Sequence, residues 1–197
     1  MDAAKQAVSA LAVFGVGLSM GYFGITPPRT EQITTVLLGV LVFLIGLELG
    51  GRRDLGRRDL LAGVFLAIST IAMSTIAGLL LGVVLDLDVR LSAAVGGGCG
   101  WYTLTGPMLA EIGGAYWGYL GFTSNLAREI IVIALYPLLP RRLEFAGIAA
   151  GGATTMDTSL GVIAARGRSL GVIAFAHGAI ITLLLPIILP LIAGLPG

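Results

Sequence analysis

Tyr116-Trp117-Gly118-Tyr119-Leu120-Gly121-Phe122-Thr123-Ser124-Asn125-Leu126-Ala127-Arg128-Glu129-Ile130-Ile131-Val132-Ile133-Ala134-Leu135-Tyr136-Pro137-Leu138-Leu139 reads as a membrane helix with three costly groups near its middle. A charge at the bilayer centre costs on the order of 3 kcal/mol on insertion scales. Asn125, Arg128 and Glu129 follow i, i+3, i+4 spacing, which places them on or beside one helical face. Gly121 lies one turn earlier and admits a close neighbour. A pure packing role would pair Arg128 with a buried carboxylate. A functional role makes this face the wall of a substrate cavity. Groups this expensive are kept for a substrate, an ion path or a partner charge, so the stretch points to transport.

The rest of the chain supports a membrane setting. Its 197 residues are 56% hydrophobic and only 12% charged, where a soluble domain is roughly a quarter charged. Apolar runs near the length of a spanning helix fall at about Ala7–Gly24, Ile33–Leu49, Leu60–Leu85, Leu91–Leu109, Tyr116–Leu139, Phe145–Ala165 and Leu170–Ile192. The expectation is an all-α integral membrane protein of about seven hydrophobic segments, forming one transporter domain over residues 1–197. A net charge of +1 and short polar connections argue against a nucleic-acid partner. Cys99 is the only cysteine, so no intrachain disulfide can form. Lys5 before the first segment imitates a leader, but no small-residue cleavage pattern precedes a polar region, and the segment reads as a retained helix.

Segments four and six carry breaks. Gly96-Gly97-Gly98-Cys99-Gly100 leads into Trp101-Tyr102-Thr103-Leu104-Thr105, and Gly151-Gly152 leads into Ala153-Thr154-Thr155-Met156-Asp157-Thr158-Ser159. Unwound backbone at membrane depth is tolerated only where it is buried in protein or lines a wet cavity. Leu120-Gly121 and Leu170-Gly171 are 50 residues apart, as are Leu139-Pro140 and Leu189-Pro190. Residues 1–90 therefore read as three helices, and 91–140 and 141–197 as two repeat units, each a broken segment followed by a helix. Paired interrupted segments point to a transporter's central site. If both broken segments cross fully, Lys and Arg count 7 inside against 4 outside. If both re-enter, the count is 9 against 2, the better fit to the positive-inside rule. The repeat is then inverted, with the N-terminus cytoplasmic.

Asp157 sits among Thr154, Thr155, Thr158 and Ser159, an oxygen-rich setting suited to an ammonium group or other cation; its bland role is to cap a half-helix. Tyr102, Thr103 and Thr105 add hydroxyls from the other break. Glu48 ends segment two, where it can line the pathway or simply pair with Arg52. His177, the only histidine, is either a helix–helix hydrogen-bond partner or a station on a proton path. No zinc, paired-cysteine, nucleophile-elbow or P-loop motif occurs. This predicts a transporter rather than an enzyme, with no metal and no cofactor, driven by an ion gradient.

Four stretches resemble one family. Gly100-Trp101-Tyr102-Thr103-Leu104-Thr105-Gly106, Ser124-Asn125-Leu126-Ala127-Arg128-Glu129, Ala153-Thr154-Thr155-Met156-Asp157-Thr158-Ser159-Leu160 and Ala176-His177-Gly178 are similar, in order and spacing, to motifs of the LysO lysine exporters. The resemblance runs from about Ile33 to Pro190. The chain departs in being shorter than many members, in Gly161 where Pro is frequent, and in Thr103 and Thr105 where Ser is usual. The resemblance implies efflux of L-lysine across a prokaryotic cell membrane, in exchange for protons, with Glu129 and Glu48 as the intramembrane acids. Substrate contacts are expected from Glu129, Asp157, Asn125, Arg128, Tyr102, Thr103, Thr154 and Thr155. Proton coupling is expected from Glu129, Glu48, Asp157 and His177. A sodium-coupled carrier of another small amino acid or cation is the alternative. Twofold assemblies are the commonest oligomers, so a homodimer is expected.

Overall fold

Glycines decide how the helices of this chain approach one another. The computed structural model describes residues 56–194 continuously and, before them, positions 12, 13, 15–17, 19–25, 28, 36, 40, 43 and 47. Most of segments one and two, Glu48 and the arginines at 52 and 53 lie outside the described residues. The described residues are helical with no strand. Helix α1 spans Arg57–Val84, α2 Val89–Gly97, α3 Tyr102–Gly113, α4 Ala115–Leu135, α5 Glu144–Gly151, α6 Leu160–Ala164 and α7 Arg168–Ala193. Short 3-10 turns cover Tyr136–Leu138, Arg141–Leu143 and Gly152–Met156.

Among the described residues, two helices are long and apolar enough to cross a membrane: α1, with mean hydropathy 2.2, and α7, with 2.5. At 1.5 Å per residue they reach about 42 and 39 Å, beyond the roughly 30 Å hydrocarbon core. Their starts and ends fall within three residues of the third and seventh segments read from the sequence. Much of α1 is uncovered: Phe65 is 74% exposed and Val84 77%. An apolar face left open to this degree suits lipid or further protein, not water.

Small residues set the helix contacts, as is usual where lipid removes the hydrophobic drive between helices. On α1, a Cβ at Gly78 would collide with the Ser92 carbonyl of α2 and come within 3.1 Å of Gly96. A Cβ at Gly63 would lie 2.7 Å from the Ala176 side chain on α7. On α4, a Cβ at Gly118 would lie 2.6 Å from the Ala110 side chain on α3. One apolar core lies where Val132, Tyr136, Ile148, Leu160, Ile163 and Ile173 meet. A second joins Ala67, Ile71, Cys99, Ala153, Ile181 and Leu185.

Segment four is two helices, α2 and α3, separated at Gly98–Trp101. Segment six is α5, a 3-10 turn and α6. The two breaks touch: the Ala153 N–H donates to the Cys99 carbonyl at 2.8 Å. Cys99 has φ 45°, Gly100 φ 83° and Gly152 φ 64°. A Cβ at Gly100 would lie 2.8 Å from the Gly151 carbonyl. Each glycine cluster both unwinds its own helix and lets the other break approach.

Candidate functional site

Arg128 and Glu129 are neighbours on α4 and point about 100° apart. Asn125 and Arg128 face the backbone of the broken segments. Glu129 faces a separate hollow.

Asn125 is 2% exposed. Its Oδ1 accepts from the Gly100 N–H at 2.7 Å, and its Nδ2 donates to the carbonyls of Val95 at 3.0 Å and Gly121 at 2.9 Å. One side chain thus supplies partners that the first break takes away from its own helix, meeting the rule that buried backbone groups are paired. Asn125→Ala would strand the Gly100 N–H, an expected loss of about 1–3 kcal/mol. A lowered melting temperature in detergent, relative to wild type, checks it.

Arg128 donates from Nη2 to the Ala149 carbonyl at 2.8 Å, from Nε to the Ala150 carbonyl, and from Nη1 to Ser74 Oγ at 3.2 Å. It caps the last turn of α5, the end where cations are favoured. Among the described residues it makes no ion pair. The one salt bridge there joins Arg166 to Glu144 at 3.4 Å. Arg166 also donates to the carbonyls of Tyr136 and Leu139, capping the end of the α4 region as Arg128 caps α5.

His177 is fully buried on α7. Its Nε2 lies 2.9 Å from Thr70 Oγ1 on α1, and its Nδ1 lies 2.9 Å from Thr155 Oγ1 in the second break. The Thr155 hydroxyl also faces the carbonyls of Gly152 and Ala174, each at 2.8 Å. Its oxygen thus has the two carbonyls and His177 Nδ1 within hydrogen-bond distance, with one proton to give among them. The imidazole bolts three elements together, and both it and Thr155 stand behind the hollow without lining it.

The hollow has a volume of about 280 Å³ and lies between the start of α3, α4, the second break and α7. That is near the lower end of the roughly 300–1,000 Å³ range for small-molecule pockets. Tyr102 and Thr103 contribute from one break, and Thr154, Asp157 and Thr158 from the other. Glu129 enters from α4 and Thr182 from α7, with Trp101 and Met156 completing the wall. Five sequence-expected residues therefore share one space: Tyr102, Thr103, Glu129, Thr154 and Asp157. Two carboxylates and no Arg, Lys or His line it. Glu129 is 6% exposed, and its Oε2 is buried with no hydrogen-bond partner. Asp157 Oδ1 accepts from the Thr158 N–H and, at 3.3 Å, from the Thr158 hydroxyl. Tyr102 is held edge-on to Phe122, with ring centroids 5.3 Å apart.

A larger cleft of about 330 Å³ reaches Asn125 and Arg128, but most of its lining residues are apolar or glycine and none is a carboxylate. Among the described residues no cluster of metal-ligating side chains occurs. Sequence reading passed over Thr182. No motif surrounds it, and Pro186 four residues later is its only local mark.

Comparison with known proteins identifies the family. A family model described as lysine exporter LysO matches residues 11–193. The lysine exporter LysO of Escherichia coli (strain K12) is 32% identical over 190 residues, which cover 94% of this chain and 64% of that protein. A putative lysine exporter of Haemophilus influenzae is 30% identical over 122 residues, covering 61% of this chain and 63% of that protein. The chain spans somewhat under two thirds of the length of these curated relatives. No solved structure matches it. On a family match across residues 11–193, the chain belongs to the lysine exporter LysO family, which is a family of transporters rather than enzymes.

Proposed function

We propose that this chain exports L-lysine across the prokaryotic cell membrane by exchange with protons. The observation that carries the reading is the hollow with two carboxylates, no basic side chain and one unpartnered buried carboxylate oxygen. A buried carboxylate needs a hydrogen-bonded cation or a proton. Lysine brings two ammonium groups, which Glu129 and Asp157 receive in this reading. Trp101 and Tyr102 add aromatic faces that attract cations. Protons and lysine compete for the same oxygens, which is the minimal chemistry of antiport: a site holding a proton cannot hold the cation.

Access follows from the two breaks. In our reading, α2–α3 and α5–α6 are re-entrant hairpins of an inverted repeat that enter from opposite sides and meet at the Cys99–Ala153 hydrogen bond. Asn125 and Arg128 then serve as positioning residues for the hairpins, and substrate contact falls to Tyr102, Thr103, Glu129, Thr154 and Asp157. Accessibility of single cysteines at positions 113 and 143, from each side of the membrane, tests that topology.

The functional test is lysine flux in proteoliposomes under an imposed pH gradient. Protons moving down their gradient into the lysine-loaded side should drive lysine out, and reversing the gradient should reverse the net flux. Lysine movement indifferent to pH but driven by a Na⁺ gradient would transfer the same oxygen-rich site to the sodium-coupled alternative.

A further inference from the structure

The hollow contains a second unpartnered oxygen. Thr182 Oγ1 on α7 is buried and bonds to nothing, like Glu129 Oε2 across from it. Thr75 on α1 and Ser92 on α2 also carry buried hydroxyls without a partner, but neither lines this hollow. Ser69 donates to the Phe65 carbonyl at 2.9 Å, Thr105 to Trp101 at 2.8 Å and Thr123 to Tyr119 at 2.7 Å, each one turn back. Thr182 makes no such bond to Gly178. A buried hydroxyl without a partner is costly, and Thr182 Oγ1 shares the hollow with the unpartnered Glu129 Oε2, so the two together point to a ligand that bonds both.

The backbone at the same place is also altered. Pro186 lies inside α7, four residues after Thr182. It has no N–H to give to the Thr182 carbonyl, which loses its helical partner. The same relation recurs at a second lining residue: Thr103 stands four residues before Pro107, inside α3. Each of these two threonines therefore couples a side-chain hydroxyl with a carbonyl released from the helix ladder.

We infer that Thr182 contacts the substrate and determines specificity, accepting hydrogen bonds from the side-chain ammonium group of lysine, which it shares with Glu129. The inference rests on the lysine-export reading and names how the cation is recognised. A primary ammonium offers three N–H donors in tetrahedral array. The Glu129 carboxylate, the Thr182 hydroxyl and the Thr182 carbonyl supply acceptors from two helices. A quaternary ammonium carries the same charge but no N–H, so charge alone would not separate the two. A site built to hydrogen-bond a polar group rejects an analogue lacking it much more strongly than an apolar pocket does.

The test compares wild type, Thr182→Val, Thr182→Ala and Thr182→Ser in proteoliposomes. It reads the KM for lysine and the inhibition by Nε-trimethyl-lysine. Loss of one hydrogen bond to a charged group corresponds to about tenfold or more. Thr182→Val and Thr182→Ala should raise the lysine KM by about that factor with little change in maximal rate. Thr182→Ser should restore it, and the preference for lysine over the trimethylated competitor should shrink in parallel in Val and Ala. Either of the two hydroxyl-less variants suffices if the other inserts poorly. A lysine KM in these variants within about twofold of wild type overturns the inference, as does an equal loss for lysine and the competitor. Wild type that moves no lysine overturns the export reading itself, and this inference with it. The two failures are distinguished by whether wild type transports.

Discussion

Glu129→Gln should abolish lysine export while leaving the protein inserted and helical. The amide keeps the size of the side chain but loses the negative charge. Neutralising one partner of a desolvated charge pair costs about 2–5 kcal/mol, or roughly thirtyfold to several thousandfold in affinity. Glu129 is the more exacting of the two acids because its Oε2 has no protein partner in the structure, whereas Asp157 Oδ1 already accepts two bonds from Thr158. Two assays separate its possible roles. Lysine–lysine counterflow needs binding but no net proton movement, while pH-driven flux needs both. If Glu129 binds the ammonium, both assays fail in the variant. If it only carries the proton, counterflow survives. Normal pH-driven export by Glu129→Gln would remove it from the mechanism. Asp157→Asn, which retains an acceptor oxygen and the Thr158 contacts, should be impaired less severely in counterflow.

The second large effect is structural. Gly152→Ala should melt far below wild type and lose transport. Gly152 has φ 64° and ψ −135°, a region used essentially by glycine alone, and a side chain there costs about 1–3 kcal/mol. The added Cβ would also drive into the Cys99 carbonyl, the acceptor of the bond that joins the two breaks. Overpacking adds about 1–3 kcal/mol more. Gly161→Ala is the matched control: its Cβ meets nothing within 4 Å and its φ is ordinary, so melting and transport should be unchanged. Thermal unfolding in detergent reads the first effect and proteoliposome flux the second. Equal melting of the two variants would mean that the crossing of the breaks is not what holds the centre together.

Much of the helix layout is legible in one dimension. The apolar run at Leu60–Leu85 becomes α1 at Arg57–Val84, and the run at Leu170–Ile192 becomes α7 at Arg168–Ala193. Length and hydropathy suffice there because a spanning helix satisfies its backbone internally. The breaks are equally readable, since Gly96-Gly97-Gly98-Cys99-Gly100 and Gly151-Gly152 can hardly stay helical. Site chemistry is partly legible as well: Tyr102, Thr103, Glu129, Thr154 and Asp157 stand out as polar residues in apolar surroundings and line one hollow. Spacing fails for Arg128. The i, i+3, i+4 pattern groups it with Glu129, but the two are adjacent in sequence and point about 100° apart, and only the position of α5 reveals that the guanidinium is spent on the Ala149 and Ala150 carbonyls. His177 is likewise ambiguous until Thr70, 107 residues away, is seen beside it.

By itself, then, the sequence determined an all-helical, membrane-type chain, the places where two of its helices break, and the acids and hydroxyls available for a cation. These depend on local composition: apolar length, backbone freedom at glycine and the cost of burying a charge. Tertiary structure alone decided which of those groups face a common space. It set Glu129 and Thr182 around the hollow and turned Asn125, Arg128, Thr155 and His177 to holding the breaks. The physical reason is that a cavity is made by elements distant in sequence, and its orphaned oxygens are defined by the partners they lack.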